Sequence, residues 1–287
     1  MPELINGKDI AKRIMLSVAS ELGELKASLG HIPKLVSISV GKHHDAEIYI
    51  NMQQKAADEI GIEFERLKLN KNISQNELIA KIEELNKDKT ATAVIVQQPL
   101  PEGIDHYRVT SHITPRKDAE GIHPYNLGKI FRRDADIVPC TPGAVMKIVD
   151  VLGTGLYGKE VVIVGHSDIV GKPLSLMMLN ETATTTVCHI GTSEKGDIKA
   201  HTRRADILVV AVGKAEMVKA DWVKHGAVVV DVGINKAGGK IVGDVDFNEV
   251  SKKAGAITPV PGGVGPITVS ILMRNIMRAY KTQVSKP

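Results

Sequence analysis

The sequence predicts an α/β protein with two parallel-sheet α/β domains, the second of them a Rossmann-type cofactor domain. Short runs of β-branched and aliphatic residues alternate with helical patterns along most of the 287 residues, as expected of parallel α/β layers. One such run, residues 161–164, ends in Gly165 and is followed by a polar turn, Gly171 and a helical stretch. A strand, a glycine-containing turn and a helix in this order are typical of a dinucleotide-binding unit. The spacing of the two glycines differs from G-x-G-x-x-G, so this stretch alone fits an ordinary βα turn equally well.

The first half of the chain alternates helices and strands. A helix is predicted for residues 7–29, whose apolar residues fall on one face. Further helices are expected at residues 46–60, with Asp45 as N-cap, and from Ser74 to residue 85. The strands among them are residues 34–40, 62–69 and 91–96. Residues 111–136 show no strong periodicity and are interpreted as a functional loop or a connection between domains.

The second half repeats this alternation. A helix with Pro142 near its start reaches residue 152, and strands are predicted at residues 184–190, 205–212 and 227–234. Gly213 and Gly233 each end a strand, which is where a cofactor lies in such sheets. Residues 257–266 are rich in proline and glycine and predict a rigid loop that contacts a ligand through its backbone. A final helix is expected from residue 268 to residue 281.

Composition excludes several classes of protein. A net charge of +4, without a dense basic run interleaved with aromatic residues, argues against nucleic-acid binding. Cys140 and Cys188 have no metal-ligand spacing and are too few for a disulfide framework, so no metal site is expected. No apolar run reaches the length of a membrane span and no signal peptide is recognised, so we expect a cytoplasmic protein without a membrane partner.

A set of motifs gives the chain a family likeness. In chain order they are Tyr49, Val96-Gln97-x-Pro99-Leu100-Pro101, Lys117-Asp118-x-x-Gly121, Pro139-Cys140-Thr141-Pro142, Ser167-x-Ile169-Val170-Gly171-x-Pro173, Cys188-His189, Gly243-Asp244-Val245 and Pro259-Val260-Pro261-Gly262-Gly263-Val264-Gly265-Pro266. With these motifs the sequence resembles the bifunctional methylenetetrahydrofolate dehydrogenase/cyclohydrolase family over nearly its whole length.

The resemblance implies a domain organisation and partners. It implies a folate-binding catalytic domain of residues 1–138 plus 268–287, to which the C-terminal helix returns, and a Rossmann-type NAD(P)-binding domain of residues 139–267. It further implies a homodimer, tetrahydrofolate derivatives as substrates and NADP as the usual cofactor. The alternatives are a dehydrogenase for another small substrate and a folate or nucleotide sensor without catalysis.

The resemblance also implies roles on the folate side. Tyr49 is expected to stack on the folate, and Gln97 to offer its amide near the reacting carbon. The wall of the site is assigned to Pro99, Leu100, Pro261 and Gly265. Glu120 matches the acidic residue that binds the pterin, although the family usually has Asp there and a solvated loop acid is the alternative.

The cyclohydrolase step is where the sequence departs from the family. Adding water to the methenyl carbon and opening the ring require proton transfer. The family uses a lysine four residues after the tyrosine, and this position is held here by Gln53. The amide of glutamine does not take up a proton at neutral pH. Lys55 lies about 200° around the helix from that position and is expected to be a surface charge. We therefore expect dehydrogenase activity and weak or absent cyclohydrolase activity.

The cofactor-binding residues follow from the same likeness. The matching residues are Gly165, His166, Ser167, Ile169, Val170, Gly171, Ile190, Thr192, Gly213, Gly233 and Ile234. The family commonly has Arg at the position of His166 and Ser at that of Ile190, both of which serve the 2′-phosphate of NADP. Their replacement favours NAD, yet the end of the second strand lacks the carboxylate of a usual NAD site. NADP is kept as the expected cofactor, with NAD as the alternative.

Overall fold

The computed structural model describes residues 2–29 and 31–284. Its strands are β1 (Glu3–Leu4), β2 (Lys34–Val40), β3 (Glu63–Leu69), β4 (Ala93–Val96), β5 (Glu160–Val164), β6 (Thr184–Cys188), β7 (Ile207–Val210), β8 (Val228–Asp231), β9 (Asn235–Ala237), β10 (Lys240–Val242) and β11 (Ala256–Ile257).

Helices separate most of these strands. They are α1 (Gly7–Leu29), α2 (His44–Ile60), α3 (Gln75–Lys87), α4 (His106–Thr110), α5 (Pro124–Phe131), α6 (Cys140–Val151), α7 (Gly171–Asn180), α8 (Ile190–Glu194), α9 (Ile198–Thr202), α10 (Phe247–Val250) and α11 (Val264–Val284), with short 3-10 helices at Pro115–Lys117 and Ala220–Trp222. None of the helices in the described part of the chain is both long and apolar enough to cross a membrane.

The chain divides into two compact units. Residues 12–138 and 269–287 form one, which we call the three-stranded unit, and residues 1–11 and 139–268 form the other, the six-stranded unit. The predicted division placed residues 1–11 with the first domain. They group with the six-stranded unit because Glu3 and Leu4 of β1 pair with Ala256 and Ile257 of β11.

The six-stranded unit is built on a fully parallel sheet with the order β1-β11-β8-β7-β5-β6. Its central strands are buried on both faces, since every residue of Ile207–Val210 and Val228–Asp231 is buried. Continuous aliphatic strands of this kind are typical of parallel sheets covered by helices. The carboxyl ends of β5, β6, β7 and β8 therefore lie along one edge of the sheet.

The three-stranded unit has a parallel sheet with the order β3-β2-β4. Helix α3 starts with a capping box in which Ser74 and Glu77 satisfy each other's backbone N–H groups, in agreement with the helix predicted from Ser74. Helix α11 closes the unit. The Asn275 amide donates to the carbonyls of Ala119 and Val138, and the Tyr280 hydroxyl donates to the carbonyl of His31. The expected return of the C-terminal helix is confirmed.

Several predicted elements differ from the structure. Helix α2 begins at His44 with His43 as its N-cap, so the predicted N-cap, Asp45, lies within the helix. The strand predicted at residues 184–190 ends at Cys188, because His189 caps helix α8. Residues 111–136 are not a continuous loop: they contain the Pro115–Lys117 turn and α5, a helix too short to show periodicity. The final helix begins at Val264, so the last residues of the predicted rigid loop form its first turn.

Candidate functional site

A buried group of polar side chains lies beside the carboxyl end of β4. Gln97 follows this strand, and its Nε2 donates to Gln53 Oε1 at 2.8 Å and to Ser37 Oγ at 3.0 Å. Gln53 comes from α2 and Ser37 from β2, and all three side chains are buried. We call these three residues the Gln53 cluster. The structure thus brings together Gln53 and Gln97, two of the predicted catalytic residues.

One donor of this cluster is unused. Gln53 Nε2 has no hydrogen-bond partner among the described residues, although Gln53 is 0% exposed. A buried N–H without an acceptor is costly, so this group is available to a ligand or a water molecule. Tyr49 lies one helical turn before Gln53 on α2 and is partly buried.

Lys55 cannot replace a lysine at position 53. Its side chain is 80% exposed, and its Nζ lies 4.0 Å from the Glu59 carboxylate. The prediction that Lys55 is a surface charge is confirmed. No basic side chain from α2 therefore joins the Gln53 cluster among the described residues.

Pro99 and Leu100 follow the cluster along the chain. The Gln98–Pro99 bond is cis, Pro99 is exposed, and Leu100 packs against the apolar core of the unit. Gln97 and Pro99 also line a cavity of about 10 Å³, together with Ser39, Val40, Gly41, His43, Ala46, Glu47 and Ile50. A cavity of this size holds about one water molecule.

The loop containing Glu120 is held in place by Asp118. One Asp118 carboxylate oxygen accepts the Gly121 N–H at 3.0 Å, and the other accepts the His123 N–H at 2.9 Å and the Asn126 amide at 2.8 Å. Asp118 is buried, and the chain next to it runs alongside β4 through a Val94–Asp118 bridge. Asp118 therefore fixes the geometry of this loop.

Glu120 differs from an ordinary surface acid. Its side chain is partly buried, and burial together with the neighbouring Asp118 charge raises the pKa of its carboxyl to about 8. At neutral pH this carboxyl is mostly protonated. The alternative of a solvated loop acid does not agree with this environment.

Gly165 and Gly171 shape the turn between β5 and α7. Gly165 has φ +125°, and a Cβ at this position would lie 2.3 Å from the carbonyl oxygen of Ala211. A Cβ at Gly171 would lie 2.1 Å from the carbonyl oxygen of Gly165. The sequence analysis assigned these glycines to a dinucleotide-binding turn. The structure shows that the packing of the turn against its own chain already requires them.

A pocket of about 300 Å³ opens at the carboxyl edge of the six-stranded sheet. Of the predicted cofactor residues, it is lined by Gly165, His166, Ser167 and Ile190. It is also lined by His189, which belongs to the Cys188-His189 motif, and by seven residues that the sequence analysis did not assign to the cofactor: Val164, Ser193, Ile198, Ala211, Val212, Lys214 and Met217. Parallel α/β sheets bind dinucleotides in a pocket at this edge, next to the turn that joins a strand to a helix through glycines.

The remaining predicted cofactor residues lie outside this pocket lining. Ile169 and Val170 belong to the turn before α7, where the Ser167 hydroxyl accepts the Val170 N–H at 3.2 Å. Thr192 lies in α8, and its hydroxyl accepts the His189 N–H. Gly213 and Gly233 follow β7 and β8, and Ile234 is 69% exposed.

Two buried carboxylates hold the loops that carry Gly213 and Gly233. Asp244 accepts the N–H groups of Val212, Gly213 and Lys214 at 2.6, 2.9 and 2.8 Å, and the Asn235 amide at 2.9 Å. Asp231 accepts the N–H groups of Gly233, Asp244 and Val245 at 3.0, 3.0 and 2.9 Å.

Burial raises the pKa of the Asp231 carboxyl to about 6, although these three N–H groups act in the opposite direction. Sequence reasoning gave neither aspartate a role. The Gly243-Asp244-Val245 motif was the pattern that could have revealed Asp244.

Pro261 and Gly265 lie at the start of α11. The Val260–Pro261 bond is cis, Pro261 is exposed, and Gly265 is in the first turn of the helix. The neighbouring Gly262 carbonyl accepts the Gly7 N–H at 3.0 Å, so this loop is tied to the start of α1.

One unit of the chain is a parallel α/β unit with a pocket at its carboxyl edge, and the other is an α/β unit with a buried polar cluster. Such a combination is typical of enzymes that bind a nucleotide. Comparison with known families gives the particular one. Residues 5–120 match the family model described as "Tetrahydrofolate dehydrogenase/cyclohydrolase, catalytic domain", and residues 139–284 match "Tetrahydrofolate dehydrogenase/cyclohydrolase, NAD(P)-binding domain". The chain belongs to the tetrahydrofolate dehydrogenase/cyclohydrolase family.

Individual relatives agree with this assignment. The chain is 46% identical over 284 residues to "Bifunctional protein FolD" of Sulfurihydrogenibium sp. (strain YO3AOP1), with 98% of both chains covered. It is similar to the crystal structure of the bifunctional enzyme FolD, methylenetetrahydrofolate dehydrogenase/cyclohydrolase, from Campylobacter jejuni, with a TM-score of 0.93, 41% identity and coverage of 98% of this chain and 100% of that one. For the enzyme from Trypanosoma brucei, complexed with NADP cofactor and inhibitor, the TM-score is 0.94 at 38% identity, with both chains fully covered.

Proposed function

We propose that this protein oxidises 5,10-methylenetetrahydrofolate to 5,10-methenyltetrahydrofolate in one-carbon metabolism. The observation that carries the proposal is the family match across both the catalytic and the NAD(P)-binding parts of the chain. The bound nucleotide accepts the hydride that leaves the carbon bridging N5 and N10. Since both nitrogens stabilise the product cation, this step needs positioning more than a protein acid or base.

The three-stranded unit supplies groups suited to that positioning. Tyr49 stacks on the folate, and Gln97 presents its amide to the reacting carbon from a position fixed by its hydrogen bonds to Gln53 and Ser37. Glu120 binds the pterin. Pro99 and Leu100 contribute to the wall of the site.

The pocket of the six-stranded unit suits an anionic dinucleotide. Its lining contains His166, His189 and Lys214 but no carboxylate. With NADP as the cofactor, the pocket receives the adenosine end, and Gly213 and Gly233 contact the nucleotide where it crosses β7 and β8. NAD is the alternative cofactor.

We further propose that the cyclohydrolase reaction is weak or absent in this chain. Hydrolysis of the methenyl group requires a residue that moves protons, and the position four residues after Tyr49 is a buried amide whose Oε1 is already bonded to Gln97. A relative that is 46% identical to this chain is named "Bifunctional protein FolD", so activity in both reactions is the competing function.

Two absorbance assays test these proposals. Purified protein is mixed with methylenetetrahydrofolate and either NADP or NAD, and reduced nucleotide is followed at its absorption band. Absence of folate-dependent reduction with both nucleotides contradicts the dehydrogenase and supports a non-catalytic binding protein.

The second assay follows the decay of isolated methenyltetrahydrofolate. We expect a rate close to that of buffer for the natural protein and an increase of about 100-fold for Gln53→Lys, the usual scale of one acid–base group. Gln54→Lys is the matched control, because it adds the same charge on the neighbouring residue, whose side chain instead bonds Arg66. Rapid hydrolysis by the natural protein contradicts the proposal.

The proposed assembly is a homodimer. β3 is an edge strand of its sheet, paired on one side with β2, and its other side has no strand partner in the described part of the chain. Light scattering during size-exclusion chromatography measures the mass, for which twice 30.9 kDa is expected and 30.9 kDa contradicts the dimer.

A further inference from the structure

Two histidines lie together at the rim of the 300 Å³ pocket. His166 follows Gly165 at the end of β5, and His189 follows the last residue of β6. Their ring centroids are 5.3 Å apart, and both side chains are exposed. At this separation a single phosphate group can contact both imidazoles.

The position of His189 has a defined meaning in this fold. In Rossmann-type sheets the residue at the end of the second strand reads the 2′ position of the adenosine ribose, and a carboxylate there accepts a hydrogen bond from the 2′-hydroxyl. Here β6, which lies next to β5, is followed by an imidazole. The pocket lining adds Lys214 and the hydroxyls of Ser167 and Ser193. These groups suit a 2′-phosphate, which a carboxylate would repel.

The two imidazoles differ in their hydrogen bonding. His189 Nδ1 accepts the Gly191 N–H at 3.2 Å, which places the proton of the neutral ring on Nε2 and leaves that nitrogen as a donor. Charging His189 would break this helix cap. The ring of His166 makes no hydrogen bond within the described residues, so it takes up a proton at no such cost.

Other charges surround the pair. Asp168 and Lys172 form an ion pair at the start of α7, and Glu194 ends α8, followed by Lys195. None of these four residues belongs to the pocket lining. The ion pair neutralises its own charges, and the acid and base of α8 offset each other, so the local field is left to the two histidines and Lys214.

We propose that His166 gains a proton when a nucleotide 2′-phosphate binds, so that the preference for NADP over NAD in this protein depends on pH. This inference rests on the proposed use of a dinucleotide by the protein. Histidine side chains change charge between pH 5 and 8, and a phosphate dianion favours the charged imidazole. Binding of the 2′-phosphate therefore weakens as the pH rises, whereas nucleotides lacking it bind equally well across the same range.

The test uses binding of nucleotide fragments, measured by calorimetry. Adenosine 2′,5′-bisphosphate and adenosine 5′-monophosphate are titrated into the natural protein at pH 6.5 and pH 8.5. A phosphomonoester with a second pKa near 6 is mostly dianionic throughout this range. We expect the 2′-phosphate to tighten binding at pH 6.5 and its advantage to fall about tenfold or more by pH 8.5, as uptake of one proton predicts.

Three variants separate the roles. His166→Ala removes the dependence on pH. His189→Asn, which keeps a capping side chain, lowers affinity for the bisphosphate at both pH values by a similar factor. His225→Ala, an exposed histidine of the same unit before β8, behaves as the natural protein. A pH-independent preference in the natural protein, or an unchanged pH dependence in His166→Ala, overturns the inference.

Failure of this inference is distinguishable from failure of the proposed function. If folate-dependent reduction of NADP or NAD proceeds while the fragment binding shows no effect of pH, the inference alone is wrong. If the fragments bind as expected but no folate-dependent reduction occurs, the proposed function is wrong and the nucleotide site stands.

Discussion

Replacing Asp244 by alanine tests whether one buried carboxylate organises the loops at the cofactor edge of the sheet. Asp244 is 0% exposed and receives four hydrogen bonds, from the N–H groups of residues 212–214 and from the Asn235 amide. An abandoned buried donor costs about 1 to 3 kcal/mol. These loops are only partly buried, so water replaces some of the lost acceptors, and the lower value applies. Four donors at about 1 kcal/mol each predict a loss of about 4 kcal/mol in the free energy of unfolding.

Urea denaturation followed by tryptophan fluorescence measures this loss. The single tryptophan of the chain, Trp222, packs on the core of the six-stranded unit and therefore reports on the unit that carries Asp244. Asp206→Ala is the matched control. The Asp206 carboxylate accepts one backbone hydrogen bond, from the Glu160 N–H, and forms an ion pair with Lys224. We expect a loss of about 1 kcal/mol for this control. A loss below about 1 kcal/mol for Asp244→Ala would refute the reasoning.

Three further predictions follow from single residues. The Glu120 carboxyl has its pKa raised from its usual 4.5 to about 8 in the folded protein, so its contribution to stability declines as the pH rises from about 4.5 to 8. Glu120→Gln should remove this decline, which urea denaturation at pH 5.5, 7 and 8.5 measures. If the natural protein and the variant lose stability in parallel as the pH rises, the prediction is contradicted. Gly165→Ala forces a Cβ against the Ala211 carbonyl and should cost more than about 2 kcal/mol, which a lowered thermal midpoint reports and an unchanged one excludes. Lys117→Met removes the hydrogen bonds that Nζ donates to the carbonyls of Leu85 and Asp88 at 2.7 and 2.6 Å. Urea denaturation should show a loss of about 2 kcal/mol in the free energy of unfolding. No loss would mean that water replaces the ammonium group.

Local patterns carried most of the fold. The strand predicted at residues 34–40 is β2 to the residue, and the helix predicted at residues 7–29 is α1. Both are long or continuously apolar, so the period of their hydrophobic residues is clear. One prediction was wrong because a single hydrogen bond decided the local structure. His189 accepts the Gly191 N–H and converts the end of a predicted strand into a helix start, which periodicity does not show.

The candidate site was predicted less completely than the fold. Tyr49, Gln53 and Gln97 were assigned through the family resemblance, and the structure joins the two glutamines by a hydrogen bond. Asp231 was missed because its carboxylate accepts backbone N–H groups, which every sequence has and no motif marks. Asp244 lies in a recognised motif, but the motif did not show that its carboxylate binds the N–H groups of residues 212–214. Likewise, the raised pKa of Glu120 depends on burial by residues distant in the chain.

Both units depend on residues from the far end of the chain, and this has a consequence for synthesis on the ribosome. Asn275 reaches back 156 residues to the Ala119 carbonyl, and β11 pairs with β1 at the other terminus. At 5 to 20 residues per second, the wait between making Ala119 and Asn275 is roughly 8 to 30 s. During that time the nascent three-stranded unit exposes the apolar surface that α11 later covers. A chain released before α11 is made therefore leaves that surface exposed, even though the proposed catalytic residues Tyr49, Gln53 and Gln97 are already present.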